Sequence, residues 1–249
     1  MKFKIAILVV VVYLITLVIN LPMAFVIDLL PKNAVKINQP TGTIWKGEAK
    51  QVVVNRKLSF DNVKWDMQLM SLLALNLKAD VSFNNGPQAM SGKGRVGYGF
   101  SGINASNVIL DVSSTELLTL LPMRLPVNIE GDFSAVIKEF SQDKPYCEQL
   151  QGNIFWQDAV ISSQLGVVNL ASPTVDLGCD NGDLTAFVTQ ESDELATTLD
   201  ISLTKGGVYQ LNGEIQGTEK LAPSIAKSLT WVGPKNESGA TTLNFSGQL

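Results

Sequence analysis

The sequence predicts a mainly β protein: a single N-terminal transmembrane helix followed by an elongated antiparallel β domain with two or three short helices. Three observations carry that expectation. An uncharged run from Ile5 to Ile27 opens the chain, bracketed by Lys4 and Asp28. Beyond it the hydrophobic period switches to two, the spacing of a strand with one face covered. Turn dipeptides then punctuate the alternating runs: Asn85-Gly86, Asn181-Gly182, Gly206-Gly207 and Asn212-Gly213.

Taken in order, the first element is the apolar run. As one helix, Ile5 to Ile27 would span about 35 Å, enough for a hydrocarbon core of about 30 Å. Val9 to Val12, Ile15 and Ile19 are poor helix formers in water, but in lipid the backbone must satisfy itself internally. A cleaved signal peptide is the rival reading, and it needs small residues at a cleavage site. The stretch Ile19-Asn20-Leu21-Pro22-Met23-Ala24-Phe25 lacks that pattern. Lys2 and Lys4 precede the span, so the positive-inside rule leaves the N-terminus cytoplasmic. The expected organisation is a cytoplasmic tip and anchor over 1–30 and an exported β-rich domain over 31–249. Similarity between Gly42-Thr43-Ile44-Trp45-Lys46-Gly47-Glu48-Ala49 and Gly152-Asn153-Ile154-Phe155-Trp156-Gln157-Asp158-Ala159 raises the option of two lobes, about 31–140 and 141–249.

The strands follow. Leu75, Leu77, Ala79, Val81 and Phe83 alternate with polar residues, as do Val127, Ile129, Gly131, Phe133, Ala135 and Ile137. Leu195, Thr197, Leu199, Ile201 and Leu203 repeat the pattern. Such alternation implies sheets with one covered and one wet face. Two short helices are expected between strands. Ser113-x-x-Glu116 makes a capping box before Leu117, Leu118, Leu120 and Leu121, with Pro122 as the stop. Pro223 starts a second helix through Ile225, Ala226, Leu229 and Trp231, closed by Gly233-Pro234. Ser71 to Ala74 is a third, weaker candidate.

Composition removes many functions. The chain has no histidine, so Ser–His and Cys–His pairs and His metal ligands are excluded. Two cysteines cannot build a Cys₄ zinc or iron–sulfur site alone. A net charge of −4 argues against nucleic-acid binding. Gly92-Lys93-Gly94-Arg95-Val96-Gly97 matches a dinucleotide-loop spacing, but a glycine-interrupted strand pattern follows it instead of a helix. Asp176, Asp180 and Asp183 lack the spacing of a calcium loop and read as a polar turn. No catalytic residue, metal ligand or cofactor can be nominated. Cys147 and Cys179 both fall in the exported part. An oxidising compartment favours their pairing as a disulfide over two free thiols.

Leu21-Pro22-Met23-Ala24, Val35-Lys36-Ile37 and Thr41-Gly42-Thr43-Ile44-Trp45-Lys46-Gly47-Glu48-Ala49 resemble the N-terminal region of the type II secretion system protein N family. In the second half Gly152, Trp156, Ala159, Leu165-Gly166 and Leu243-x-Phe245-x-Gly247 extend the resemblance. It implies a non-enzymatic, bitopic inner-membrane component of the machinery that exports folded proteins from the periplasm of Gram-negative bacteria. The implied partners are other inner-membrane platform components. A looser resemblance, of Val63-x-Trp65-x-Met67 and Ser71-Leu72-Leu73 to AsmA-like proteins, implies the alternative: a membrane-anchored lipid-binding or lipid-transfer groove, with lipid as the ligand.

Overall fold

The computed structural model describes residues 2–27, 35–87, 89–100, 102–120 and 126–248. In each unit the described strands pair antiparallel with their neighbours in sequence order, except that β8 pairs with both β9 and β10. Residues group into two compact units. One comprises Met1–Asn85 with Arg95–Gly97, the other Gly86–Gly94 with Tyr98–Leu249.

The first unit begins with helix α1 (Lys2–Ile19) and the short α2 (Met23–Ile27). The single helix expected over Ile5–Ile27 is therefore interrupted, and the reason is Pro22. Proline has no N–H to donate and pushes the residue before it out of the helical region. Among the described residues, no helix is long and apolar enough to cross a membrane. Four strands follow: β1 (Val35–Gly42), β2 (Lys46–Val54), β3 (Leu58–Met67) and β4 (Leu77–Asn84), each antiparallel to the next. A 3-10 turn at Leu69–Ala74 occupies the place of the weaker helix candidate. Leu75, read as the first strand residue, sits before β4 with a left-handed backbone (φ 52°). Strand β5 (Ser91–Gly99) contributes residues to both units.

The second unit contains β6 (Gly102–Ser113), helix α3 (Ser114–Leu120), β7 (Asn128–Ser141) and β8 (Gln149–Ser163). Then come β9 (Gly166–Ala171), β10 (Thr174–Asp180), β11 (Asp183–Glu191), β12 (Leu195–Thr204), β13 (Val208–Gly217), helix α4 (Pro223–Val232) and β14 (Thr241–Gln248). Strand β8 pairs with β10 through its first half and with β9 through its second. The left-handed backbone of Asp158 (φ 51°) marks the change of partner. The Ser113 hydroxyl accepts from the Glu116 N–H at 3.3 Å, the capping bond expected for α3. Leu121 and Pro122 lie outside the described residues. Pro223 opens α4, and the Gly233 N–H caps its end on the Leu229 carbonyl.

Asn181-Gly182 takes positive φ as the two-residue turn between β10 and β11, and Gly206 and Gly207 take positive φ in the three-residue connection 205–207 between β12 and β13. Asn212-Gly213 does not turn. Both residues lie inside β13, where a Cβ at position 213 would come within 2.1 Å of the Thr198 carbonyl oxygen. That glycine serves close strand approach, not reversal. The two copies of the sequence repeat also diverge. Gly42 to Ala49 forms the corner between β1 and β2, whereas Gly152 to Ala159 stays within β8.

Among the described residues, fully buried apolar side chains are few. One cluster gathers Val168, Leu195 and Leu221, with Leu170, Ile215, Ile225 and Leu229 packed against it, and ties α4 to β9, β12 and β13.

Candidate interaction surfaces

Two surfaces stand out, one in each unit. In the first, the corner Gly42–Gly47 receives the end of α1. The last carbonyls of a helix lack intrahelical donors. Here they are met by side chains and by the β corner. The Asn20 side-chain amide donates to the Thr16 carbonyl at 2.8 Å. The Trp45 indole N–H donates to the Val18 carbonyl at 2.8 Å, and the Ile44 N–H to the Leu21 carbonyl at 3.0 Å. Pro22 and Thr43 form an antiparallel bridge beside them. The Trp65 indole N–H donates to the Thr43 carbonyl at 3.2 Å and braces the corner from β3. Gly47 makes this possible, since a Cβ there would lie 2.5 Å from the Trp65 ring. The helix thus enters the β unit through a hydrogen-bonded junction. Along α1, Ile7, Leu8, Val9, Val10, Val11 and Val12 are consecutive and all exposed. A helix apolar on every side calls for an apolar surrounding.

The same unit carries exposed paired charges. The Lys46 ammonium lies 2.7 Å from the Asp66 carboxylate, and the Arg95 guanidinium donates to both Asp80 oxygens at 2.9 and 3.2 Å. Hydrogen bonding and attraction to Asp66 raise the Lys46 pKa. The bond from Arg95, opposed by burial and helped by a bond from Gln68, lowers that of Asp80. Arg95 shifts up and, in the second unit, Asp193 beside Lys220 shifts down. All four shifts favour the charged form and lead away from neutrality, the opposite of the tuning an acid–base catalyst needs.

The second surface is an apolar face in the second unit. Cross-strand register aligns Leu110, Ala135, Ile154, Val175, Val188, Leu199, Gly213 and Leu243 in one row. The next row on that face reads Val108, Ile137, Gly152, Leu177, Ala186, Ile201, Leu211 and Phe245. Neither row contains a charge. Between them, pointing to the other face, run Asn153, Asp176, Phe187, Asp200, Asn212 and Asn244. The strands of this unit make their substantial contacts with hydrogen-bonded neighbours, so Ile154, Val175, Leu177, Leu199, Ile201 and Leu211 stay half-buried.

Each end of this face carries a fixed contact. At one, Trp156 stacks on Phe133 with ring centres 4.9 Å apart and donates its indole N–H to the Glu130 carbonyl. At the other, Cys147 is joined to Cys179, with Cα atoms 6.2 Å apart. Beside it the Tyr146 hydroxyl donates to the Thr204 carbonyl and accepts from the Gly207 N–H. The segment before β8 is thereby strapped across two hairpin ends.

The remaining sequence motifs converge on nothing. Gly92 to Gly97 lies in β5 with another strand after it, so no helix N-terminus is presented. Asp176 accepts from the Asn153 amide and Asp180 from the Asn181 amide, and among the described residues no acidic or cysteine cluster could hold a metal. The Trp45–Val18 contact had no sequence signal, because the partner is a backbone carbonyl 27 positions away.

The family model described as "Type II secretion system (T2SS), protein N" matches residues 33–244. A Vibrio cholerae protein of that name is 28% identical over 236 residues, 94% of this chain and 93% of its own length. One from Pectobacterium carotovorum is 29% identical over 213 residues, covering 86% and 84%. One from Aeromonas hydrophila is 26% identical over 252 residues, covering 100% and 99%. No solved structure matches.

Proposed function

The chain belongs to the type II secretion system protein N family, and from that membership we propose that it is a non-enzymatic inner-membrane component of the machinery that moves folded proteins from the periplasm across the outer membrane. The N-terminal apolar segment anchors it, with the tip before Ile5 cytoplasmic and the β units periplasmic. Its partners are other inner-membrane platform components. The observation that carries the anchoring is α1, exposed and apolar from Ile7 to Val12, with its Val18 carbonyl bonded to Trp45 and the Leu21 carbonyl just beyond it bonded to Ile44. At 18 residues α1 is about 27 Å long, a few ångströms short of a bilayer core. Leu21, Pro22 and the exposed Phe25 then carry the chain through the interfacial layer, where Trp45 suits an aromatic belt. Deleting the gene tests the reading. Folded exoproteins should accumulate in the periplasm while export across the inner membrane continues; normal exoprotein release would overturn it.

A second reading has its own observation in favour. The charge-free rows from Val108 and Leu110 to Phe245 and Leu243 offer a surface for acyl chains, which fits a lipid-binding or lipid-transfer groove. Lipid extraction and mass analysis of the purified full chain tests it. Stoichiometric lipid supports the groove, and its absence from protein purified in mild detergent counts against it.

A further inference from the structure

The two edges of the sheet are treated differently. Edge strand β1 is blunted: it carries Lys36, Pro40 and a left-handed Gln39, and the Pro22–Thr43 bridge continues beyond its end. Edge strand β14 is covered where it begins, by a bridge between Lys235 and Thr241, and lacks such defences beyond Thr242. Thr241 to Gln248 contains no charge and no proline.

Its backbone shows which groups are open. The Thr242 N–H donates to the Pro234 carbonyl at 2.8 Å, so Thr242 faces away from β13 and is taken. Period two then points the N–H and C=O groups of Asn244, Ser246 and Gln248 the same way. Among the described residues no strand pairs with β14 on that side. Asn244, Phe245 and Ser246 are exposed.

We propose that this edge pairs with the same edge of a second copy of the chain, antiparallel about a two-fold axis through Ser246. In that register Ser246 opposes Ser246, and Asn244 opposes Gln248 on either side. Each pair exchanges two N–H···O bonds, about six in all. Phe245 then lies across from Gly247 of the second copy, an aromatic ring over a strand glycine. Centring on Asn244 would require the occupied groups of Thr242, and centring on Gln248 loses most of the pairing. Charge does not oppose the self-partner: Thr241 to Gln248 is neutral, so juxtaposing two copies sets no like charges opposite each other. The axis stands normal to the sheet, so the apolar rows ending at Leu243 and Phe245 continue onto the second copy's corresponding face.

The test uses full-length protein in mild detergent. The two native cysteines are joined, so an introduced thiol stands alone. Opposed residues of a hydrogen-bonded pair have Cα atoms about 5.5 Å apart, within disulfide reach. Ser246→Cys should cross-link to a covalent dimer on mild oxidation and Asn244→Cys should not, while Asn244→Cys mixed with Gln248→Cys should. Ser246→Lys should lower the dimer fraction in light scattering about tenfold, by setting like charges opposite each other. A monomer at all concentrations with uncrosslinked Ser246→Cys overturns the proposal. So does equal cross-linking of Ser246→Cys and Asn244→Cys, or cross-linking of Ser246→Cys to a different protein alone.

Discussion

Replacing both Cys147 and Cys179 with serine should cost about 4 kcal/mol of stability. The bridge closes a loop across a sequence separation of 32. In the chain-entropy relation that loop lowers the entropy of the unfolded chain by about 12 cal/mol/K, or about 3.7 kcal/mol at 298 K. The native state should contribute little to the difference. The Cys147 sulfur lies near the Gly182 and Asp183 carbonyls, and the Cys179 sulfur near the Cys147 carbonyl, so serine hydroxyls would find acceptors. With a urea slope of about 3 kcal/mol/M, the midpoint should fall by about 1 M. The assay is urea denaturation followed by tryptophan fluorescence, with and without reductant. Reductant should lower the wild-type midpoint to that of the double variant and leave the variant unmoved. A variant within about 0.2 M of wild type, or a reductant effect that persists in it, would refute the loop-closure argument. Tyr146→Phe separates the strap from the bridge: it removes the Thr204 and Gly207 bonds, costs about 1 kcal/mol and leaves the reductant response intact.

Gly47→Ala drives a methyl into the Trp65 ring and the Thr41 carbonyl, and should lower stability by about 2 kcal/mol in thermal melts. Asp80→Asn should matter at neutral pH and not in acid. The folded pKa of Asp80 is depressed, so its contribution is present above the usual 3.8 and is lost as pH falls below it; wild-type and variant midpoints should converge there. Gln190→Met removes the amide N–H groups that bond the Leu170 and Leu195 carbonyls, and should cost about 1–2 kcal/mol in urea denaturation.

Period-two alternation was enough to place β4, β7 and β12, because each of these strands has one apolar and one polar face. The pattern Leu195, Thr197, Leu199, Ile201, Leu203 maps directly onto one face of β12. Where the reading slipped, a glycine or proline had a job that spacing does not reveal. Gly213 looked like half of a turn, yet its lack of a Cβ serves the approach of β12. Pro22 sat inside a run uniform in hydrophobicity, and its missing N–H together with its restriction of Leu21 ends α1. The surfaces were less legible still. The apolar rows exist only once register is known, since residues such as Ile154 and Leu211 come together through intervening strands.

Register also explains why one sheet can present several surfaces at once. A side chain in a strand commits to one face, but the backbone groups at an edge commit to neither. In β14 the two are independent: Leu243 and Phe245 extend the apolar rows, while Asn244 and Ser246 aim their backbone sideways. Lipid or protein could cover the apolar face without blocking the edge, and pairing at the edge would lengthen that face without filling it. The two activities are therefore separable by mutation. Replacing Leu211 or Ile201 with a charged residue should disturb whatever covers the face and leave Ser246→Cys cross-linking unchanged, because neither side chain reaches the β14 backbone groups that point away from β13. Loss of both together would mean that the dimer forms only when the face is covered, making the edge a consequence of the face and not a second surface.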